Sequence, residues 1–125
     1  MSINSLPPEL DWAIQAAQDK KAEAITVLDL QAAGGFTGHF LICTGYSRPQ
    51  IQAISDSIEE QLLRRGIRAS HAEGYELADW VLLDYGFFVA HVFSERARIF
   101  YDIERLWRTA PRLDVPDYDS AKRER

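Results

Sequence analysis

Apolar positions recur along the chain in two periods, and the switches between them divide it into elements. Over 8–21, Leu10, Ala13, Ile14 and Ala17 keep helical spacing behind Pro8, a residue suited to a first helical turn. AITVLDL (24–30) is rich in β-formers and predicts a strand. The glycines of QAAGGFTG (31–38) predict a loop. HFLICT (39–44) is a continuous apolar run, the pattern of a strand covered on both faces. Gly45 ends it, and Ser47 with Gln50 supplies the two halves of a capping box. The helix opened by that box carries Ile51, Ile54, Ile58 and Leu62 on its buried stripe, can pair Glu60 with Arg64, and stops at Gly66. IRASHAE (67–73) predicts a weaker strand near an edge, and DWVLLD (79–84) and FFVAHVF (87–93) predict strong ones. A last helix over 94–108 places Ile99, Phe100, Ile103, Leu106 and Trp107 on one stripe. The order α-β-β-α-β-β-β-α is that of an α/β fold, a single mixed sheet of about five strands flanked by helices. One domain is expected over 1–110. Pro111 and Pro116 break regular structure past that point, and 111–125 is expected to be a disordered charged tail.

The run ADWVLLDYGFFVAHVF (78–93) poses the main question, because an indole, a carboxylate, a phenol and an imidazole interrupt a buried-strand pattern. With Tyr85-Gly86 as a two-residue hairpin loop, Asp84 faces Phe87, Leu82 faces Val89 and Trp80 faces His91. Strand alternation puts these six on one face and leaves Val81, Leu83, Phe88, Ala90 and Val92 as a purely apolar opposite face. Two readings of the mixed face compete. Trp80 and His91 either lie under a helix with their N–H groups satisfied by backbone, or they belong to a partly open face that docks another protein, where rings beside a few charges are typical anchors.

Composition narrows the classes. The 125 residues suit one domain, and 46% hydrophobic with 26% charged residues is an ordinary globular balance. A formal charge of −5 repels phosphate backbones and favours a basic protein partner. The single cysteine, Cys43, cannot form an intrachain disulfide and fits a reducing compartment. No apolar run approaches the ~18 residues of a membrane span. The N-terminus carries Glu9 and Asp11 and no basic residue, unlike a signal or transit peptide, so a cytoplasmic protein is expected.

Catalytic constellations are weak. Gly45-Tyr46-Ser47 opens a helix as in a nucleotidyltransferase, but Arg48-Pro49-Gln50-Ile51 comes next, with no acidic pair. Asp79 and Asp84, five apart, point to opposite strand faces and cannot share a metal. Asp117 and Asp119 form a D-x-D pattern, but in the tail. His39 and Cys43 are ~13 Å apart along a strand, too far for one metal. Cys43 itself reads as an inert core thiol. Arg96, Arg98, Arg105 and Arg108 interleave with acids and read as a solvated helix face. The residues favour a binding module over an enzyme.

FLICTGYS, AISDSIEE and AEGYELADWVLLDYGFFVAHVFSERARIFYDIERLW resemble the ribosomal silencing factor family, also called Iojap-related proteins, over about residues 8–108. The most specific pieces are ICTG-x-S, EG-x(4)-DW-x(3)-D-x-G, VxH and R-x-F-Y-D-x-E-x-LW. The resemblance implies a nucleotidyltransferase-like fold without the catalytic carboxylates, and a bacterial factor needing no cofactor. Such a factor binds a basic protein of the large ribosomal subunit on the face that meets the small subunit. It thereby blocks subunit joining when nutrients run short. Free members of the family are often homodimers. No membrane and no sequence-specific nucleic acid partner is expected. The pattern maps onto Glu73, Gly74, Asp79, Trp80, Asp84, Gly86, His91, Arg98, Tyr101, Glu104 and Trp107, with the glycines as turn residues and Trp107 as helix packing. Partner contact is expected from Trp80, Asp84 and Tyr85, with Glu73 and His91 beside them. The chain departs from the family at Phe87 and Gly38, where acidic residues are usual. The alternatives are a non-ribosomal adaptor of the same fold and a residual nucleotidyltransferase.

Overall fold

A computed structural model describes residues 6–33 and 37–118. Helix α1 (Pro8–Asp19) leads into strand β1 (Glu23–Asp29), a single 3₁₀ turn (Gln31–Ala33) and strand β2 (His39–Gly45). Helix α2 (Arg48–Leu63) comes next, then β3 (His71–Glu73), β4 (Trp80–Asp84) and β5 (Phe88–Ser94). Two short helices, α3 (Glu95–Tyr101) and α4 (Ile103–Leu106), and a two-residue strand β6 (Arg112–Leu113) complete the chain. The six strands form one sheet in the order β3-β4-β5-β2-β1-β6, with β2 and β5 parallel and the other pairs antiparallel. The expected α/β architecture is therefore present, with one strand more and the last helix in two pieces.

The unbroken apolar run of β2 has its reason in this order. Strand β2 lies between β5 and β1, and all its residues are buried. On one face, Leu41, Cys43, Val81, Leu83, Phe88, Ala90 and Val92 pack against Leu10, Ile14, Ile51, Ile54, Ile58 and Leu62 of α1 and α2. Helix α2 starts as its sequence directs. Ser47 Oγ accepts from Gln50 N (3.1 Å), and Pro49 sits in the first turn. The Gln50 amide reaches one residue past the cap, accepting from Tyr46 N (2.7 Å), and donates to the carbonyls of Lys20 and Lys21, which ties α2 to the end of α1. The Glu60–Arg64 pair forms at 3.1 Å on the solvent face.

Three expectations need correction. First, the hairpin is longer than two residues: Asp84 pairs with Val89, Leu82 with His91 and Trp80 with Phe93. The Asp84 carboxylate accepts from Gly86 N (2.8 Å), Tyr85 N donates to Phe88 O (2.9 Å), and Thr37 Oγ1 holds Gly86 O (2.7 Å), so the turn is pinned by groups outside the hairpin. The pairing shifts by two residues. Because side chains alternate with period two, the faces survive, and only Phe87 leaves the strand for solvent. Second, the strand expected over 67–73 pairs only at His71–Glu73, an exposed edge.

Third, the folded body passes residue 110. Pro111 O accepts from Asp29 N (2.8 Å), Arg112 and Leu113 pair with Leu28 and Val27, and Leu113 is buried. The Gln18 side chain then donates to Pro116 O (2.7 Å) and accepts from Tyr118 N (2.8 Å), while the Tyr118 hydroxyl bonds the Asp11 carboxylate. The prolines stop a helix without stopping attachment, because the carbonyls of both Pro111 and Pro116 act as acceptors. The remainder of the expected tail, 119–125, lies outside the described residues, as do 34–36 of the glycine loop.

Gly74, with φ +87°, links β3 to the start of β4, and a Cβ there would stand 2.0 Å from Trp80 O. Gly66, φ +77°, has nothing within 4 Å of that position. Gly66→Ala should therefore cost only the left-handed strain, ~1 kcal/mol. Gly74→Ala should cost ~3 kcal/mol or more, because a backbone carbonyl cannot move aside easily. Urea unfolding of the two variants measures the difference.

Candidate partner-binding face

The sheet face opposite α1 and α2 carries a second, smaller core. Leu28, Phe40, Ile42, Val89 and Phe93 pack beneath Ala97 of α3 and Ala110, with Ile103 and Trp107 as partly buried cover. Trp80 and Leu82 sit at its margin, half-buried. The expected mixed face is this one.

Trp80 is held as a rigid plate. Its ring stacks on Phe93 (centroids 5.0 Å apart) and meets Tyr101 of α3 at 4.7 Å. The indole N–H donates to His91 Nδ1 at 3.1 Å. Its partner is thus the neighbouring imidazole rather than the backbone. Accepting at Nδ1 places the His91 proton on Nε2, which has no hydrogen-bond partner among the described residues. His91 is 4% exposed, with Phe40 edge-on at 4.5 Å and Phe93 nearly parallel at 6.0 Å. Burial in this aromatic setting pushes its pKa down to about 4.

Four of the five expected contact residues share this face. Glu73 pairs with Leu82, and Leu82 with His91, so the three lie in one cross-strand row. Glu73 is exposed beside His71. Asp84 lies two pairs along β4 from Leu82 and commits one carboxylate oxygen to the turn. Tyr85 does not belong with them. It is buried on the helix-covered side, stacked on Phe88 at 5.0 Å, and burial pushes its phenol up. The longer turn carries it there, where it supports the core and cannot touch a partner on the Trp80 face. Asp79 also serves the fold. It accepts from Ser94 Oγ (2.6 Å), the N-cap of α3, and pairs with the exposed Arg96 (2.7 Å).

The residues whose roles sequence reasoning misread lie in the last helix. Arg98 is not on a solvated face. Its Nε and Nη2 bond both carboxylate oxygens of Glu104 (3.0 and 3.2 Å). Nη1 donates to Ala24 O (2.7 Å) and Thr44 Oγ1 (3.0 Å), and Nη2 also to Thr26 Oγ1 (3.1 Å). Ala24 offers that carbonyl from a bulge in β1 with a φ of +50°. The clamp breaks the helix at Asp102, which adopts φ +45°, ψ +50°. Ile103 and Trp107 remain inward, but Ile99, Phe100 and Leu106 are 75%, 73% and 78% exposed. One signal was available: Ile99, Phe100 and Tyr101 are consecutive, and neighbours on a helix diverge by ~100°, so a single stripe cannot bury all three.

An exposed apolar belt therefore runs along α3 to the Trp80 plate, with Phe100 5.0 Å from Tyr101 and Tyr101 4.7 Å from Trp80. Contiguous exposed apolar surface of this kind marks interaction sites. The other chemistry is sparse. Cys43 is fully buried, its pKa pushed up to about 12 by burial, which keeps it a thiol. Among the described residues no three His, Cys, Asp or Glu side chains converge to hold a metal ion. No described helix is long and apolar enough to cross a membrane.

Comparison with known proteins places the chain in a family. The family model described as ribosomal silencing factor during starvation matches residues 3–125. The chain belongs to that family. It is 42% identical over 106 residues to the ribosomal silencing factor of Bacillus subtilis, covering 85% of this chain and 90% of that one. It is 40% identical over 106 residues to that of Halalkalibacterium halodurans, covering 85% and 91%. A crystal structure of a Chromobacterium violaceum protein superposes with a TM-score of 0.79 at 32% identity, covering 94% and 92%. The expected resemblance thus holds for the whole described fold.

The geometry has two measurable outcomes. Arg98→Met should destabilise the protein by about 2–4 kcal/mol at neutral pH, since it leaves the largely buried Glu104 carboxylate with only the longer contact to the exposed Arg112 and removes the donor to Ala24 O. Arg98 holds the Glu104 carboxyl below its ordinary value, so the ion pair's contribution is whole above the normal glutamate range. It should fade as pH falls through the lowered value, and the gap between wild type and variant in urea titrations should narrow there. For His91 the sign is set by the unfolded chain, which binds a proton near pH 6.5 while the folded one resists until about 4. Stability should fall by roughly 3 kcal/mol at most as pH drops across that window, then level off. His91→Phe should flatten most of this slope and leave the part due to the buried His39.

Proposed function

We propose that this chain represses translation by occupying the large ribosomal subunit. Its Trp80–Tyr101–Phe100 belt docks on a basic protein of that subunit, at the surface that meets the small subunit. The bound chain then fills space the small subunit needs, so the two exclude one another and no bond is made or broken. The observation that carries this reading is the belt itself, a row of rings and aliphatic side chains left exposed by the helix break and anchored on a rigid sheet. Rings held in fixed positions lose little freedom on binding, which suits them as anchors. Family membership supports the ribosomal partner, and the net charge of −5 supports a basic protein over RNA.

The reading assigns no catalytic step and no cofactor, and places the protein in the cytoplasm, acting when nutrients are short. A free homodimer would use the same apolar belt and would have to open before docking. Linkage requires that excess small subunits relieve the repression, because both ligands compete for one surface. A contact of this kind buries on the order of 1,200–2,000 Å² in total.

Co-sedimentation with purified large subunits tests the reading. Phe100→Asp and Leu106→Asp, on side chains that are already exposed, should keep far-UV circular dichroism and weaken binding at least tenfold, about 1.4 kcal/mol. Asp84→Ala should weaken it less, because that carboxylate is partly engaged by its turn. Normal co-sedimentation of both Asp variants, or undisturbed joining of the two subunits at saturating protein, would sink the proposal.

A further inference from the structure

Beyond the belt, α3 borders a cleft of about 400 Å³ lined by Thr44, Tyr46, Glu95, Ile99, Asp102 and Glu104. Arg98 and Ala24 also line it, and Arg98 has all five of its hydrogen-bond donors committed to Glu104, Ala24, Thr44 and Thr26. Its charge is matched by Glu104, so it offers nothing to an incoming anion. Glu95 and Asp102 are different. Neither carboxylate forms an ion pair among the described residues. Ile99 lies between them along the chain and also lines the cleft, and Tyr46, just past β2, is 60% exposed. Ile99 belongs at once to the cleft and to the apolar belt, so the cleft is the far end of the same docking surface.

We infer that this cleft receives a cationic side chain, lysine or arginine, of the partner protein. The inference rests on the docking reading and deepens it. Long basic side chains are amphipathic, with an alkyl stem that packs on apolar walls and a charged head that seeks carboxylates. Here the stem lies against Ile99 and the Tyr46 ring, whose face also attracts a cation. The head reaches the Glu95 or the Asp102 carboxylate, which stand about 10 Å apart along the helix, two turns from one another. Two uncompensated carboxylates in a concave site raise the potential for cations well above that of an exposed pair and repel acidic partners. The Tyr46 wall is set by its turn. Gln50 holds the Tyr46 amide at 2.7 Å, and Gly45 permits the close approach to Ile51, where a Cβ would meet Cγ1 at 2.8 Å.

The test is co-sedimentation of the full chain with purified large subunits, titrated across a range of salt concentrations. The Glu95→Gln/Asp102→Asn double variant keeps shape and removes charge, and asparagine is well suited to the left-handed backbone of Asp102. It should bind about tenfold more weakly at low salt and show a shallower salt dependence. Tyr46→Ala should weaken binding several-fold with the salt dependence retained, while Leu63→Ala, an exposed residue of α2 on the other side of the sheet, should bind as wild type. Wild-type affinity and salt dependence in the double variant would overturn the inference while leaving the docking reading intact. A double variant that binds subunits normally but no longer self-associates would assign the cleft to a second copy, also overturning it. If the unmodified chain fails to sediment with large subunits, the docking reading falls and the inference with it.

Discussion

The Arg98 guanidinium organises the α3 side of the sheet. It is largely buried against the ends of β1 and β2, and it reaches Glu104 with two hydrogen bonds. In a continuous helix, residues six apart are turned about 240° from each other, so the two side chains would diverge. They meet only because the chain breaks at Asp102, which takes a left-handed conformation that costs a non-glycine residue ~1–2 kcal/mol. A buried guanidinium without its carboxylate would cost several kcal/mol, so the break is the lower-energy state. A Glu104 that is shared with Arg112 adds a link to the C-terminal strand.

The two short helices on either side of that break leave apolar side chains in water. Ile99, Phe100 and Leu106 turn outward, giving up stabilisation of roughly 1.5–3 kcal/mol for each side chain left in water. Such surface is recovered when a partner covers it, so the clamp that holds α3 on the sheet also shapes the proposed docking face. The strained carbonyl of Ala24 belongs to the same device, since the bulge in β1 aims it at Arg98.

The platform beneath is correspondingly stiff. Phe93, His91 and Phe40 form a ring-filled layer under Trp80, and His91 stays neutral because burial opposes its protonation. An imidazole acceptor for the indole, rather than a carbonyl, ties β4 to β5 by side chains as well as by backbone. Asp79, bonded to the cap of α3, ties the start of β4 to that helix. Together these links fix the angle at which α3 presents its belt.

Local physics made most of the fold legible in advance. Ser47 capped its helix, the apolar run 39–44 became the central buried strand, and Trp80, Leu82 and His91 fell on one face because alternation is a property of any strand. The two-residue error in the hairpin left the faces intact for the same reason, and the family motifs identified the family. What only the tertiary structure decided were contacts between residues far apart in sequence. Thr37 and Gly38 help hold the turn that sends Tyr85 into the core, Gln18 captures residues 116 and 118, and Arg98 finds Ala24, Thr26 and Thr44 across the sheet. Periodicity predicts which side of an element is apolar. It cannot say whether a buried charge elsewhere will break that element and turn the apolar side to water.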